Sequence, residues 1–186
     1  MQTSEFRVAE RAGARGFTLV ELMAVVTIVG VLSVIGLVSY RRYVAHAKTA
    51  EVPGMFMNIK IAEEAYKDET FHYLGPSGKT LVDYYPNNLK PGQQKMNFAG
   101  TGTGAGDWQT LAVQSSAPVL FVYACAAGLA TDTVPKLSPD LTVGNWPDSV
   151  AGPWYVVKAK ADIRGDGVTT YFATSSFSGD LYSAND

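Results

Sequence analysis

Cysteine, histidine and charge are all scarce in this chain of 186 residues. It has one cysteine, Cys125, and two histidines, His46 and His72. A single thiol closes no internal disulfide, and these three residues are too few and too badly spaced for a zinc site. Charged side chains make up 17% of the residues, against a typical share of roughly 25%. The 15 basic residues form no run and the net charge is −2, so the sequence lacks the electrostatic footprint of a nucleic-acid binder. Proline is absent before residue 53, so nothing forbids a long helix over that stretch. With 47% hydrophobic residues the chain is not a disordered one, and its length suits one domain plus an appendage.

The mean hydropathy of +0.03 is high for a plain soluble domain, and its source is local. Residues 17–40, FTLVELMAVVTIVGVLSVIGLVSY, carry one charge, Glu21. As a helix this run spans about 36 Å, more than the roughly 30 Å hydrocarbon layer of a bilayer. It is apolar all round, and a chain this small has too little protein to cover every face. Burial in a membrane or in a helix bundle is expected. Arg7, Arg11 and Arg15 precede the run, with Glu5 and Glu10, and Arg41, Arg42 and Lys48 follow it. Basic residues on both sides leave the orientation unfixed by charge. A secretory signal would place a small-residue cleavage site after the apolar region, whereas here Gly16 stands before it, at the junction with Phe17.

An acidic side chain in hydrocarbon costs about 2.5–3.5 kcal/mol even on lenient scales, so Glu21 calls for a partner and a role. It falls in the first turn of the expected helix, where the macrodipole favours negative charge. The plainer alternative is that it sits among headgroups and is solvated.

The segment Arg15 to Glu21, RGFTLVE, resembles the cleavage and methylation motif of type IV prepilins and pseudopilins: Gly, then Phe-Thr-Leu, then Glu as the fifth residue after the cut. The resemblance covers residues 1 to about 50, and more loosely the helix to near residue 74. It implies that a prepilin peptidase cuts between Gly16 and Phe17 and that the new amino group of Phe17 is methylated. It further implies that Glu21 pairs with the Phe17 amine of a neighbouring subunit and so sets axial register in a filament. One departure is that Val38 stands where most pilins have a proline. This weighs toward a minor subunit, with Gly30 and Gly36 as alternative sources of flexibility.

Beyond Tyr40, Val52, Met55, Phe56, Ile59, Ala62 and Tyr66 recur at helical spacing and form an apolar stripe. Lys48, Glu51, Lys60, Glu63, Glu64 and Lys67 are expected on the opposite face, toward water or a neighbour. Pro53-Gly54 should kink this half. From about residue 75 short β-rich runs take over: 80–85, 110–115, 119–126, 154–161, 168–174 and 180–183. Alternation in the last four predicts antiparallel strands with one solvated face. The stretch 128–153, with four prolines, reads as a surface or binding loop.

The expected fold is therefore α+β and pilin-like: a long N-terminal helix, transmembrane then amphipathic, packed on an antiparallel β-sheet head. The expected divisions are a leader at 1–16, a transmembrane or filament-core helix at 17–40, an amphipathic half at 41–74 and a head at 75–186.

The search for chemistry in the remainder finds little. GPSGKT at 75–80 lacks the first glycine of a phosphate loop, since Tyr73 stands there, and reads as a turn. The glycines at 100–106 lack the strand-to-helix setting of a dinucleotide fingerprint. Cys125 in an apolar strand is expected to be a buried thiol rather than a nucleophile partnered by His46 or His72. Asp162 and Asp166 in ADIRGDG offer oxygen ligands for calcium, but ordinary hairpin chemistry explains the same residues.

No cofactor and no catalytic activity are expected. The function implied is a structural subunit of a type IV pilus, a minor one on the ground of Val38, that serves motility, adhesion or DNA uptake. Its partners would be other pilin subunits of the same or another kind, the prepilin peptidase, the pilus assembly machinery and the inner membrane, with no nucleic acid by default. It would sit in the inner membrane before assembly, and on the cell surface or in the periplasm afterwards. One rival is a pseudopilin of a type II secretion system. Another, of a different class, is a single-span receptor or sensor with a periplasmic head.

Overall fold

The structure, a computed structural model, describes residues 16–87, 90–98 and 105–185. Residues 1–15 of the expected leader, and most of the glycine loop at 100–106, lie outside the described residues. The chain forms two units, one ending at Arg41 and the other running from Arg42.

In the first unit, helix α1 starts at Leu19 and continues without a break to Thr49, beyond the unit's end. Gly30 and Gly36 sit in regular helix, with open space where a side chain would be. The two hydroxyls of the apolar run are satisfied within the helix: Thr27 donates to the Met23 carbonyl (2.8 Å) and Ser33 to that of Val29 (2.7 Å). Such bonding one turn back lets a hydroxyl enter an apolar medium without an orphaned donor. From Phe17 to Tyr40, sixteen large apolar side chains are between 49% and 79% exposed. The run is long and apolar enough to cross a membrane, with a mean hydropathy of 2.6 over its most apolar window.

The second unit is built on the last turns of α1, helix α2 (Glu51–Thr70), a short α3 (Ala105–Thr110) and a four-stranded sheet. In place of the kink expected at Pro53-Gly54, the structure has an interruption of the regular helix at Ala50, between Thr49 and Glu51, with Ala50 itself in helical conformation (φ −61°, ψ −16°). The cause is still Pro53, whose missing N–H removes the bond to the Thr49 carbonyl and whose ring crowds the preceding turn. Helix α2 also stops sooner than the expected end near 74. Phe71 takes the left-handed conformation (φ 64°) and its N–H returns to the Lys67 carbonyl (2.7 Å).

The strands are β1 (Val122–Gly128), β2 (Trp154–Ala161), β3 (Thr170–Ser175) and β4 (Tyr182–Ala184), an antiparallel meander in sequence order. Cys125 faces Val157 across the first pair, and Val157 faces Thr174 across the second. Two expected strands do not form. Tyr85 of run 80–85 makes a single bridge to Tyr123, and run 110–115 is the end of α3 and a turn. Residues 75–85 nevertheless line the outer edge of β1. Ser77 N–H donates to the Cys125 carbonyl (2.8 Å), Ala127 N–H to that of Gly78 (3.0 Å), and Tyr85 exchanges bonds with Tyr123. The edge that would otherwise invite another chain is thus covered.

The expectation of one solvated sheet face is wrong, because both faces are buried. On one face Tyr123, Cys125 and Val157 pack with Val52, Phe56 and Ile59 of α2. On the other, Ala124, Ala126 and Val156 pack with Val134, Leu137 and Leu141. These last three belong to the stretch 128–153, which is therefore a cover for the sheet. Alanines at 124 and 126 leave room for its larger side chains. The cover is pinned by Asp140, which accepts from the buried Lys158 ammonium at 2.5 Å.

The expected polar face of α2 is also corrected. Glu63 is fully buried. One of its oxygens accepts from the Leu74 N–H (2.9 Å), the other from Gly75 N–H (3.0 Å) and the Cys125 thiol (3.2 Å). Gly75 is required here, as a Cβ would come within 2.4 Å of Ala127 and φ is 58°. Glu51 accepts from the amides of Leu120 and Phe121 (2.8 and 3.1 Å) and from the Tyr123 hydroxyl (2.9 Å). Lys48 donates to the Ile163 carbonyl at 2.7 Å. Three residues assigned to solvent are thus the polar anchors between helix and sheet.

Burial pushes the Glu63 carboxyl above its ordinary range, outweighing the three donors that favour the charge. A raised carboxyl contributes stability that is fully present below its unfolded value, near pH 4.5, and is lost as pH rises through the folded value. Glu63→Gln should destabilise the detergent-solubilised chain by about 1–3 kcal/mol, since an amide cannot accept from all three donors. The gap from wild type should be widest at acid pH and narrow toward neutrality, which denaturant unfolding across pH measures. Phe71 is 84% exposed, so its left-handed backbone is not repaid by packing within the chain. Phe71→Gly should raise stability by about 1 kcal/mol in the same assay.

Candidate processing and assembly site

Residues 16–18 precede the helix and are exposed, with Phe17 at 79%. The peptide bond between Gly16 and Phe17 therefore lies outside regular structure. The helix begins immediately after Thr18, and the cause is a reciprocal cap. The Thr18 hydroxyl accepts from the Glu21 N–H (3.2 Å), while the Thr18 N–H and hydroxyl both donate to Glu21 Oε2 (2.8 Å each). This Thr-x-x-Glu box satisfies amide donors that the first turn leaves without partners. It also fixes the direction of the only carboxylate in the apolar run. The other oxygen, Oε1, takes no hydrogen bond from a described residue.

Sequence reasoning singled out Glu21 for its charge and its place in the first turn, and missed Thr18. The signal was available in the spacing of Thr18 and Glu21 ahead of an apolar run. It also missed Glu51 and Glu63. Glu63 falls four residues after Ile59, on the continuation of the apolar stripe, and that position is what marks it.

The other residues considered from the sequence do not converge. Cys125 is buried against Glu63, and burial together with that neighbouring carboxylate pushes its thiol well up, leaving it protonated and unreactive. His72 pairs its Nδ1 with the Thr70 carbonyl (2.9 Å) and meets the Tyr66 ring edge-on. Asp162 and Asp166 act as caps of the β2–β3 turn. Asp162 accepts from the amides of Gly165 (2.7 Å) and Gly167 (3.1 Å), and Asp166 from that of Val168 (2.9 Å). Burial raises the Asp162 carboxyl, but those amides and the Gln93 side chain outweigh it and hold it below its ordinary range. GPSGKT forms a turn, with Gly78 N–H donating to the Gly75 carbonyl (2.7 Å).

Comparison with known proteins bears on the N-terminal segment. The family model described as the prokaryotic N-terminal methylation motif matches residues 11–37. A type IV major fimbrial protein FimA of Dichelobacter nodosus is 33% identical over 73 residues, 37% of this chain and 47% of the relative. A type IV major alpha-pilin of Moraxella bovis is 41% identical over 51 residues, 27% of this chain and 32% of the relative. A fimbrial protein of Neisseria meningitidis serogroup A is 39% identical over 70 residues, 36% and 38% of the two chains. The matched part thus spans less than half the length of these relatives. No solved structure matches. The methylation motif, the relatives that share it, and a long apolar helix followed by an antiparallel sheet make the N-terminal segment of this chain similar to that of type IV pilins.

Proposed function

We propose that the chain is a structural subunit of a type IV pilus. In this reading a prepilin peptidase removes residues 1–16 and methylates Phe17. The helix from Phe17 to Tyr40 then anchors the subunit in the inner membrane, and later becomes the filament core, while the second unit forms the outside. The observation that carries the reading is the helix exposed on every side, with sixteen large apolar side chains uncovered and one carboxylate at its start. Burying such side chains releases about 1.5–3 kcal/mol each, so a total on the order of tens of kcal/mol is available to a membrane and again to neighbouring helices.

Glu21 supplies what apolar packing lacks, which is a defined axial position. Its Oε2 is held by Thr18 and its Oε1 is turned to no described residue, so a neighbour's Phe17 amine is the partner that completes it. The relatives' names weigh toward a major subunit and Val38 toward a minor one; the abundance of the chain in sheared filaments distinguishes the two.

Mass spectrometry of the mature protein should find an N-terminal N-methylated Phe17. A chain that keeps Met1 in cells with an active peptidase would sink the reading. Glu21→Ala should still insert and be processed, yet enter sheared filaments at least about tenfold less than wild type, because removing one partner of a buried ion pair leaves the other charge unpaired at a cost of about 3–5 kcal/mol.

A further inference from the structure

Strand β2 carries two lysines on one face, because side chains two apart on a strand point the same way. Lys158 and Lys160 follow Val156, whose face packs against Val134, Leu137 and Leu141. That cover brings one carboxylate to them, Asp140, and the Lys158 ammonium takes it at 2.5 Å. The Tyr171 hydroxyl bonds to the same carboxylate. Lys160 is left without an acid. Among the described residues its ammonium forms no ion pair and donates no hydrogen bond, and what it touches is the face of the Tyr84 ring, with the centroid 3.9 Å away. Lys160 is half-buried. Burial, and then the like charge of Lys158, push its ammonium below the ordinary range, with Asp140 opposing from beyond ion-pair distance. An aromatic face replaces only part of the hydration that such a cation gives up.

This lysine lines a cavity of about 350 Å³ at the end of the β1–β2 pair, where it faces Val122 across the two strands. Small-molecule sites occupy roughly 300–1,000 Å³. Segment 82–87 forms the rest of the wall and contributes the Asp83 carboxylate and the Asn87 amide, both exposed, beside the apolar Val82. Neither polar side chain is bonded to another described residue. The segment itself is fixed: the Ser77 hydroxyl donates to the Asp83 carbonyl (2.7 Å), and Tyr85 and Tyr123 exchange backbone bonds of 2.7 Å. The wall therefore exists before any ligand arrives, which lowers the entropy lost on binding.

The charges select the ligand. Lys160 calls for an anionic oxygen. Asp83 stands in the same cavity, and with Asp107 it also lines an adjoining one of about 280 Å³. These two carboxylates act against a second negative charge, so phosphate esters and polyanionic chains are disfavoured. Asp83 and Asn87 suit hydroxyl groups, the first as an acceptor and the second as donor and acceptor.

We propose that this cavity binds an acidic sugar, a hydroxylated ring that bears one carboxylate. Lys160 Nζ donates to the carboxylate, Asp83 accepts from one hydroxyl, and Asn87 bonds another. Tyr84 holds the ammonium at the cavity wall. The site goes beyond the role of a structural subunit, since it gives the second unit a ligand of its own whether or not the chain enters a filament.

The test is an NMR titration of the isotope-labelled full-length chain in detergent, with glucuronate, glucose and glucosamine as probes. Glucuronate should shift the amides of Val82 to Tyr85, Val122 and Lys160 in a saturable way. Glucose and glucosamine should bind at least about tenfold more weakly, since neither offers the charge-assisted bond. K160Q should weaken glucuronate by a similar factor, while unmoved amides in 170–175 show that the sheet is intact. The comparison of the three sugars uses the wild-type chain and stands even if the variant fails to fold. Glucose or glucosamine binding as tightly as glucuronate, full affinity in a folded K160Q, shifts confined to other residues, or no shift up to about 50 mM would each overturn the proposal. The subunit reading is untouched by either result.

Discussion

Among the described residues, the large apolar side chains from Phe17 to Tyr40 are between 49% and 79% exposed. An apolar helix in this condition is not a finished structure in water, because every side chain left exposed forgoes about 1.5–3 kcal/mol. An apolar surrounding, whether lipid or other helices, is what would satisfy such a helix. Neither medium differs much from the other in apolarity, so the transfer between them is governed by packing and by polar groups. Here the polar groups are few and arranged for it. Thr27 and Ser33 bond back within the helix, and Glu21 is held by Thr18 at the very start.

The second unit solves a related problem with different means. A sheet with both faces buried needs two covers, and each cover must be fastened at polar points because apolar packing alone leaves it free to slide. On one face the fastening is by Glu51 and Glu63 of α2, each oxygen matched to a donor from the chain segments around β1. On the other it is by Lys158 reaching Asp140. Carboxylates that would be costly if buried alone become specific when amides and a thiol converge on them. At the β2–β3 turn Asp162 and Asp166 likewise accept from backbone amides.

Legibility followed from whether a residue's role is local. The apolar run, the order of a helix followed by a sheet, and strands β1 to β4 depend on periodicity and composition over short windows, and they were readable. The turn at 75–80 and the hairpin turn at 161–167 were readable for the same reason. What was misread depended on distant partners. Glu51 and Glu63 look like solvent-facing residues until the segments 119–123 and 74–75 arrive against them. Val134, Leu137 and Leu141 look like apolar residues of a loop until the second face of the sheet is placed beneath them. Run 80–85 has the composition of a strand, but pairs with β1 at one residue only.

The sequence by itself determined the helix and its one carboxylate, because 24 residues with a single charge and no proline have only one inexpensive backbone conformation in an apolar medium. It also determined where that helix starts, since Thr18 and Glu21 stand three residues apart and close their cap without help from the rest of the chain. Only the tertiary structure decided which charges are anchors and which face outward. A carboxylate's environment is set by the donors that surround it, and those donors come from residues 11 to 72 positions away, joined by the fold alone.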